Sequence, residues 1–254
     1  MISHSVTLSY TPGCPGVVLR ELCGADELSF PDTSTRSVLI LLDRIMEDKY
    51  AVTAAQLVTA DRDHLLASIY TRLYGDKIES TISCRHCEMQ FDMDFSLQQL
   101  QFHLREQPKQ EHVSMEQPGI YRLDAACSFR LPTGEDEMAV ENFAPDEAGE
   151  QLLKRCLLTG DPLLHGVAVQ EAMATVAPVL QTDISASCPE CGQAQMMLFD
   201  MQSFLMGRLL NERRQVMYEM HRLARMYHWS HAEILSISRV LRRTYYDLIE
   251  SEMY

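Results

Sequence analysis

The sequence predicts an α+β fold that is mainly helical, with two β-hairpins and a helical module at its C-terminal end. Three observations carry this prediction. Two Cys-x-x-Cys pairs each lie between two short β-prone runs. Apolar residues recur every three or four positions through much of the remaining chain, as in amphipathic helices. The chain has 254 residues, 46% of them hydrophobic, which is enough to bury a core.

The two cysteine pairs share one local pattern, a β-prone run, the Cys-x-x-Cys turn and a second β-prone run. Polar and apolar residues alternate from Met89 to Phe95, as in a strand with one buried face. The runs 182–187 and 195–200 repeat this arrangement around the second pair. Four cysteines in two such turns are typical of a tetrahedral structural zinc site. The predicted Zn²⁺ ligands are Cys84, Cys87, Cys188 and Cys191.

This zinc ribbon is split by a long insertion. A stretch of 100 residues separates Cys87 from Cys188, whereas an ordinary ribbon has about 15 to 20 between its pairs. Because the entropy cost of closing a loop grows only logarithmically with its length, a metal that contributes on the order of 10 kcal/mol can close it. We therefore expect a separate lobe between the two hairpins.

Three other uses of the cysteine pairs stay open at this point. Disulfides need an oxidising compartment, and the first residues do not form a charged and then apolar targeting segment. A thioredoxin-like redox site uses one pair at the start of a helix, not two matched pairs between strands. Catalytic zinc keeps one position for water, and four sulfurs would leave none. Structural zinc is therefore favoured.

The remaining cysteines do not share this spacing. Cys127 and Cys156 fall in apolar runs, and we expect them to be small core residues. Cys14 lies in a turn, and a second metal site formed by Cys14 and Cys23 is the weaker reading. His86, between two ligands, could compete for the metal, but a solvated turn residue is the simpler account.

Helical segments and turn signals define the organisation of the rest. Ser34 or Thr33 is a candidate N-cap for a helix through residue 46, and Gly75 is the expected end of a helix from residue 61. Ser230 and Glu233 have the spacing of a capping box. Further helices are expected over 146–158, 167–180, 199–226, 232–235 and 239–253.

These signals predict five regions along the chain. The first region is a turn-rich, irregular N-terminal arm, which we expect to dock on the protein and not to contribute to its core. A polar linker begins the inserted lobe. The regions are 1–32 (arm), 33–104 (helical pair and first zinc hairpin), 105–181 (inserted α/β lobe), 182–200 (second zinc hairpin) and 201–254 (C-terminal helical module).

Charge bears on the choice of partner. The net charge is −14, yet residues 201–254 hold eight arginines and six acidic residues, so the remaining 200 residues carry −16. An acidic body repels phosphate backbones, which makes nucleic acid an improbable partner and favours protein partners. The alternative is a zinc-ribbon regulator that contacts nucleic acid through Arg239, Arg242 and Arg243 on the last helix. The simpler expectation places these arginines on a water-facing surface.

Catalytic motifs are missing from the sequence. It has no nucleophile with its base, no glycine-rich phosphate loop and no His-Glu-x-x-His, so we expect no enzyme and no small-molecule substrate. Glu135, Asp136 and Glu137 are expected to favour a helix dipole. Trp229, the single tryptophan, is expected to be a packing anchor.

Six segments within about residues 55–250 together carry a family resemblance. They are 60–66, Cys84–Cys87, 130–136, 188–192, 219–224 and 228–235. In this order they resemble the T-even-phage-type baseplate or tail assembly proteins of contractile phages, prophages and phage-tail-like injection systems. The most specific is the C-terminal run from His221 to Leu235. Relatives commonly have glycine where this chain has His228, and the first thirty residues match nothing in the family.

The resemblance implies a function without catalysis. It predicts a structural protein or assembly chaperone that binds other baseplate or hub proteins, with no membrane association. It also implies that the protein is found in the cytoplasm of the bacterial host, with incorporation into a virion or injection particle as a further stage.

Overall fold

The structure is a computed structural model that describes residues 3–47, 52–106 and 113–252. Helices account for 52% of it and strands for 24%, and the strands form several small antiparallel sheets. The prediction of a mixed, mainly helical fold is therefore confirmed. The centre of the predicted polar linker, 107–112, and the predicted end of the last helix at residue 253 lie outside the described residues.

The elements of the N-terminal half are the following, in chain order. They are β1 (Ser3–Thr7), β2 (Gly16–Arg20), α1 (Gly24–Glu27), α2 (Thr35–Ile45), β3 (Met46–Glu47), a 3-10 turn (Ala54–Gln56), α3 (Thr59–Tyr74), β4 (Lys77–Ser83), β5 (Gln90–Ser96) and α4 (Leu97–Arg105).

The C-terminal half continues with the longer helices. Its elements are β6 (Ser114–Gln117), β7 (Ile120–Arg122), β8 (Ser128–Arg130), α5 (Gly134–Val140), α6 (Pro145–Cys156), β9 (Leu157–Thr159), α7 (Pro162–Val176), β10 (Gln181–Ser187), β11 (Ala194–Asp200), α8 (Met201–Tyr227), α9 (His231–Ser236) and α10 (Arg239–Glu252).

The chain divides into two compact units. Unit 1 contains residues 1–9, 14–56 and 202–254, and unit 2 contains residues 10–13 and 57–201. Unit 1 has the antiparallel sheet β1-β2-β3, and unit 2 has the sheet β6-β7-β8-β9 together with the hairpins β4-β5 and β10-β11. Chain ends that are distant in sequence thus share one unit.

Unit 2 has a core at the sheet β6-β7-β8-β9. Phe129 of β8 and Leu131, just after this strand, pack with Val169 and Ala172 of α7. The rings of Tyr121 and Phe129 stack with centroids 5.6 Å apart. Burial of these apolar side chains is the main favourable term in the stability of such a core. Cys127 lies in the same cluster.

The N-terminal segment is more regular than its turn signals predict. It forms the β1-β2 hairpin and α1, and Leu19 and Phe30 are completely or almost completely buried. The breakers at residues 11–16 therefore mark the turn of a hairpin, and the alternating residues on each side supply apolar side chains to unit 1. In this respect the structure differs from the expected irregular arm.

A charged cluster of the same geometry occurs in both units, and we call it the clasp. In the first clasp, Arg20 donates to Asp26 through two nitrogens, at 2.6 and 2.9 Å, and Arg44 donates to the same carboxylate at 3.0 Å. Asp26 also accepts a hydrogen bond from the backbone of Cys23 at the start of α1. Asp26 is fully buried, so these donors replace its hydration.

The second clasp repeats this geometry in unit 2. Arg130 donates to Asp136 at 2.5 and 2.8 Å, Arg155 donates to it at 3.0 Å, and the backbone of Thr133 donates at 3.1 Å. Each member lies 110 or 111 residues after its counterpart. Both clasps join a strand, a short helix, a longer helix and a closing strand in the same order, so one structural module occurs twice in the chain.

Each clasp also holds the first turn of a long helix. In unit 2, Glu137 accepts hydrogen bonds from Thr59 and Arg62 of α3, and the backbone amide of Thr59 donates to Pro132 at 3.0 Å. In unit 1, Glu27 stands at the position of Glu137. It accepts from Arg239 and Arg242 at the corresponding positions of α10.

The arginines of α10 were expected to face water, and for two of them this expectation is wrong. Arg239 is 3% exposed and Arg242 is fully buried, because Glu27 and Glu219 accept their hydrogen bonds inside unit 1. Two guanidinium groups that are buried and paired are not available to phosphates. The alternative of a nucleic-acid contact through α10 therefore loses its main support.

The turn after α8 has the predicted capping chemistry. Ser230 and Glu233 form the capping box of α9, which confirms that prediction. Trp229 stacks on Tyr227 with centroids 4.9 Å apart and meets Tyr245 edge-on at 5.0 Å, as expected of a packing anchor. His228 ends α8 with φ of +55°, in the left-handed region that favours glycine.

Candidate metal centre

The first cysteine pair lies at the tip of the hairpin β4-β5. The strands pair in antiparallel register from Lys77 with Ser96 to Ser83 with Gln90. At the tip, the backbone amide of Cys84 donates to the carbonyl oxygen of Met89 at 2.9 Å, and Glu88 closes the turn with φ of +62°. The predicted hairpin around the first pair is present.

The second pair lies at the tip of β10-β11 in an equivalent turn. The backbone amide of Cys188 donates to the carbonyl of Gln193 at 3.0 Å, and Gly192 has φ of +70°. Every feature lies 104 residues after its counterpart. The correspondence continues beyond the hairpins, because α4 begins at Leu97 directly after β5 and α8 begins at Met201 directly after β11.

The two tips meet and bring four sulfurs together. Sγ of Cys84 lies 3.7 Å from Sγ of Cys191, Sγ of Cys87 lies 3.7 Å from Sγ of Cys188, and all four lie within 4.8 Å of one another. A tetrahedron with metal–sulfur bonds of about 2.3 Å has edges of about 3.8 Å. A disulfide would need about 2.05 Å. The sulfur positions therefore fit a metal ion at their centre.

Contacts between the hairpins hold the tips in this position. The side chain of Gln195 on β11 accepts from the backbone amide of Arg85 at 3.0 Å and donates to the carbonyl of Ser83 at 3.3 Å. Nearer the base, Phe95 and Phe199 meet edge-on with centroids 5.1 Å apart. These two phenylalanines occupy equivalent positions of the two hairpins, so the pair forms a packed, approximately symmetric contact.

Within the first turn, Cys84 is the residue that favours the thiolate form. Hydrogen bonds from the backbone amides of Cys87 and His86 lower the pKa of Cys84 to about 6. The amide of His86 donates to Sγ of Cys84 at 3.4 Å, while the four-sulfur group does not include the His86 ring. Thiolates are the form in which cysteine binds a metal.

The other cysteines take no part in this cluster. Cys127 and Cys156 are buried, in agreement with the prediction that they are core residues, and burial raises the pKa of the Cys156 thiol to about 11. Cys14 and Cys23 are also buried. Among the described ranges, Cys84, Cys87, Cys188 and Cys191 form the group of potential metal ligands, and Cys14 and Cys23 are not part of one.

A site with four sulfur donors has a defined chemical capacity. If all four bind one ion, the tetrahedron is closed and offers no position for water or substrate. Such an ion would cross-link two hairpins whose cysteines lie more than 100 residues apart. The arrangement thus suits structural stabilisation rather than Lewis-acid catalysis.

Comparison with protein families adds the biological context. The family described as T4 bacteriophage base plate protein matches residues 19–159, which is more than half of the chain. The chain belongs to this family. The family is a structural one, which favours a role without catalysis, and it implies association with other baseplate components.

The matched range of this baseplate protein differs in extent from the resemblance in its sequence. It begins at residue 19 and so includes the end of β2 and all of α1, which belong to the segment that showed no family likeness. It contains both clasps and the first cysteine pair, while Cys188 and Cys191 lie beyond its end.

No curated protein and no solved structure matches the chain. Across the described ranges, no helix has both the length and the apolar character needed to cross a membrane.

The clasps are not among the features predicted from local patterns of the sequence. Asp136 does lie in the first turn of α5, as the helix-dipole expectation requires, but its main contacts are with Arg130 and Arg155. The sequence nevertheless contains a signal for the clasps. The pattern Arg-x-x-x-Gly-x-Asp-Glu occurs at residues 20–27 and again at 130–137. A search for internal repeats at this spacing would have found it.

Proposed function

We propose that this protein is a non-enzymatic structural or assembly component of a contractile phage tail or of a related injection particle, and that bound zinc stabilises its fold. Membership in the baseplate family carries the first part of the proposal. Two sulfur–sulfur distances of 3.7 Å, with all four sulfurs within 4.8 Å of one another, support the second part. The proposed ligands are Cys84, Cys87, Cys188 and Cys191.

In the proposed mechanism, the zinc ion fixes the two hairpins of unit 2 against each other. Each hairpin leads directly into a helix, α4 or α8, so its position constrains where that helix begins. Unit 2 then presents a rigid surface to other baseplate or hub proteins. Its acidic body favours basic protein surfaces over nucleic acid as partners. We place the protein in the bacterial cytoplasm during assembly.

The zinc proposal is tested by elemental analysis of protein purified without added metal, together with unfolding before and after chelation. We expect close to one zinc per chain and a large loss of stability on chelation, because binding free energy of a structural zinc is folding free energy. Absence of zinc, with unfolding unaffected by the chelator, would overturn this part of the proposal.

The baseplate role needs a separate experiment. The tagged full-length chain is expressed in the host that makes the particle, and purified particles and assembly intermediates are analysed by mass spectrometry. We expect this chain in one of the two fractions together with baseplate or hub subunits. If the chain occurs in neither fraction and deletion of its gene leaves particle assembly intact, the proposed role is wrong.

A further inference from the structure

Helices α3 and α10 meet the two copies of the repeated module in the same way. The backbone amide of Arg239 in α10 donates to Leu22 at 2.7 Å, and the amide of Thr59 in α3 donates to Pro132 at 3.0 Å. Each residue of α10 thus lies 180 positions after its counterpart in α3. Because the two helices have the same contact with their modules, the surroundings of equivalent side chains can be compared.

One face of α10 is apolar and exposed, and we call it the α10 stripe. It consists of Val240 (62% exposed), Leu241 (47%), Thr244 (exposed) and Leu248 (49%). The hydroxyl of Thr244 donates to the backbone oxygen of Val240 at 3.0 Å, so its polar atom is satisfied within the helix. The stripe extends over about 12 Å, or two helical turns. An outer helix face normally carries polar residues, and contiguous apolar surface is typical of interaction sites.

The same face of α3 is covered in unit 2. The counterparts of the stripe residues are Ala60 (6% exposed), Asp61 (2%), His64 and Ser68 (both half-buried). Residues 10–13, which we call the hairpin tip because they lie between β1 and β2, belong to unit 2 and cover the first turn of α3. The backbone amides of Tyr10 and Thr11 donate to Asp61 at 2.9 and 2.6 Å. In the next turn, Gln101 of α4 contacts His64.

Polar contacts and close packing hold the hairpin tip in unit 2. The hydroxyl of Thr11 accepts a hydrogen bond from the backbone amide of Val58 at 3.1 Å and donates to Asp61 at 2.8 Å. Pro12 lies against Gly119, where an added Cβ atom would be 2.3 Å from Cγ of Pro12. The tip of this chain is therefore already engaged, and its polar groups are paired with α3.

The start of α10 has a different chemistry. Leu241 stands at the position of Asp61, so the stripe offers no carboxylate to the amides of a tip. Ser238 stands at the position of Val58, and its hydroxyl oxygen accepts from the backbone amide of Leu241 at 3.4 Å. The helix thus has a capping contact of its own. An occupant of the α10 stripe is therefore recognised by apolar contact.

We propose that the α10 stripe docks the tip of a loop from another baseplate subunit, and that this tip presents apolar side chains. This inference rests on the proposed baseplate role. The form of the occupant follows from unit 2, where a hairpin tip covers the first turn of the equivalent helix. Its chemistry follows from Leu241, which replaces the carboxylate of Asp61 with an apolar side chain.

A second copy of this chain fits the stripe less well. To dock there, its hairpin tip would have to leave α3, and Asp61 would lose three hydrogen bonds at a buried position. Leu241 cannot replace this acceptor. Each chain also carries a net charge of −14, which disfavours association of two copies. A different subunit is therefore the occupant that these contacts favour.

The test compares full-length variants for incorporation into particles or assembly intermediates. The double variant Leu241→Gln with Leu248→Gln removes the apolar contact. Leu163→Gln with Val167→Gln is the matched control, since these side chains of α7 are 94% and 72% exposed. We expect the α10 double variant to lose at least tenfold in incorporation and the control to match the wild type. Normal incorporation of the α10 variant, or an equal loss in the control, would overturn the inference.

A single substitution tests the chemistry of the occupant. Leu241→Asp restores the carboxylate found at Asp61, and an apolar tip would bury it without a donor. We expect at least a tenfold loss of incorporation, whereas a tip with free amides, like residues 10–13, would tolerate this variant or bind it more tightly. Incorporation at the wild-type level would therefore overturn the apolar chemistry. All variants should keep the unfolding midpoint of the wild type, because the substituted side chains are exposed.

A photocrosslinking residue at position 244 identifies the occupant directly. In purified particles or intermediates, we expect it to capture a loop of a different baseplate subunit, located by mass spectrometry of the crosslinked peptides. Crosslinking only to a second copy of this chain would overturn the inference. If the wild type itself associates with neither particles nor intermediates, the proposed function has failed rather than the α10 stripe alone.

Discussion

Replacing the central carboxylate of a clasp is expected to destabilise its unit strongly. Asp136→Ala leaves Arg130 and Arg155 without their shared acceptor and removes the side-chain cap of α5. Removal of one partner from a fully buried ion pair costs about 3–5 kcal/mol. The side chains of Arg130 and Arg155 are 32% and 45% exposed, so water compensates part of this loss. With loss of the cap included, we expect about 2–3 kcal/mol.

The first clasp provides an internal comparison. Asp26→Ala removes the same set of contacts, but Arg20 is only 19% exposed. Water can therefore reach and solvate the Arg20 guanidinium less well in this variant. We expect the free energy of unfolding to fall by about 3–4 kcal/mol, more than for Asp136→Ala. Asp146→Ala, in the first turn of α6, is the control, and its effect should stay within about 0.5 kcal/mol because the side chain is exposed.

Hydrogen exchange followed by mass spectrometry distinguishes the effects of the two variants on the two units. Asp136→Ala should raise exchange in peptides that contain β8, and Asp26→Ala should raise it in peptides that contain β2, each with a lower free energy of opening. The reasoning is refuted if Asp136→Ala changes that free energy no more than Asp146→Ala does. Equal and global effects of both clasp variants would show that the units do not open separately.

The pH dependence of the clasp follows from the same contacts. Burial opposes ionisation of Asp136, but hydrogen bonds from Arg130 and Thr133 outweigh it and hold the pKa of this carboxyl well below its usual range. For a carboxyl with a depressed pKa, the stabilisation is present above the unfolded pKa of about 4 and is lost as the pH falls towards the folded value. The difference between wild type and Asp136→Ala should therefore shrink below about pH 4.

Three further predictions concern single positions. Elemental analysis should find nearly no zinc in Cys188→Ser and one zinc per chain in Cys14→Ser. Equal zinc in the two variants would contradict the proposed ligand set. His228→Gly should stabilise the protein by about 1 kcal/mol in urea unfolding, because glycine adopts the observed positive φ without strain, and a destabilised variant would argue against that strain. Burial raises the pKa of Asp63 to about 6, so the folded state holds its proton longer and the stability of the wild type should fall as the pH rises from about 4 to about 6. In Asp63→Asn, whose amide oxygen can still accept from the backbone of Leu180, this part of the pH profile should be flat in equilibrium unfolding, and a profile identical to the wild type would exclude Asp63 as its source.

The local elements were predictable because their signals are short-range. The period-two alternation around Cys84 and Cys188 predicted both hairpins, and Gly75 ends α3 as expected. Both signals depend on backbone preferences and on the pattern of side chains along a single strand or helix. Residues close together in the sequence determine both. The four cysteines of the candidate metal centre were likewise identified from their spacing, because ligand spacing within each turn is a local property.

The sequence by itself determined most of the longer helices, the two cysteine turns and the family. Only the tertiary structure decided which charges are buried, and Arg242 is the clearest case. Its acceptor Glu27 lies 215 residues earlier in the chain. No local pattern connects two such residues, and an arginine on an amphipathic helix normally faces water. Burial became favourable because the fold places Glu27 and Glu219 around the guanidinium group and so replaces the water that it loses.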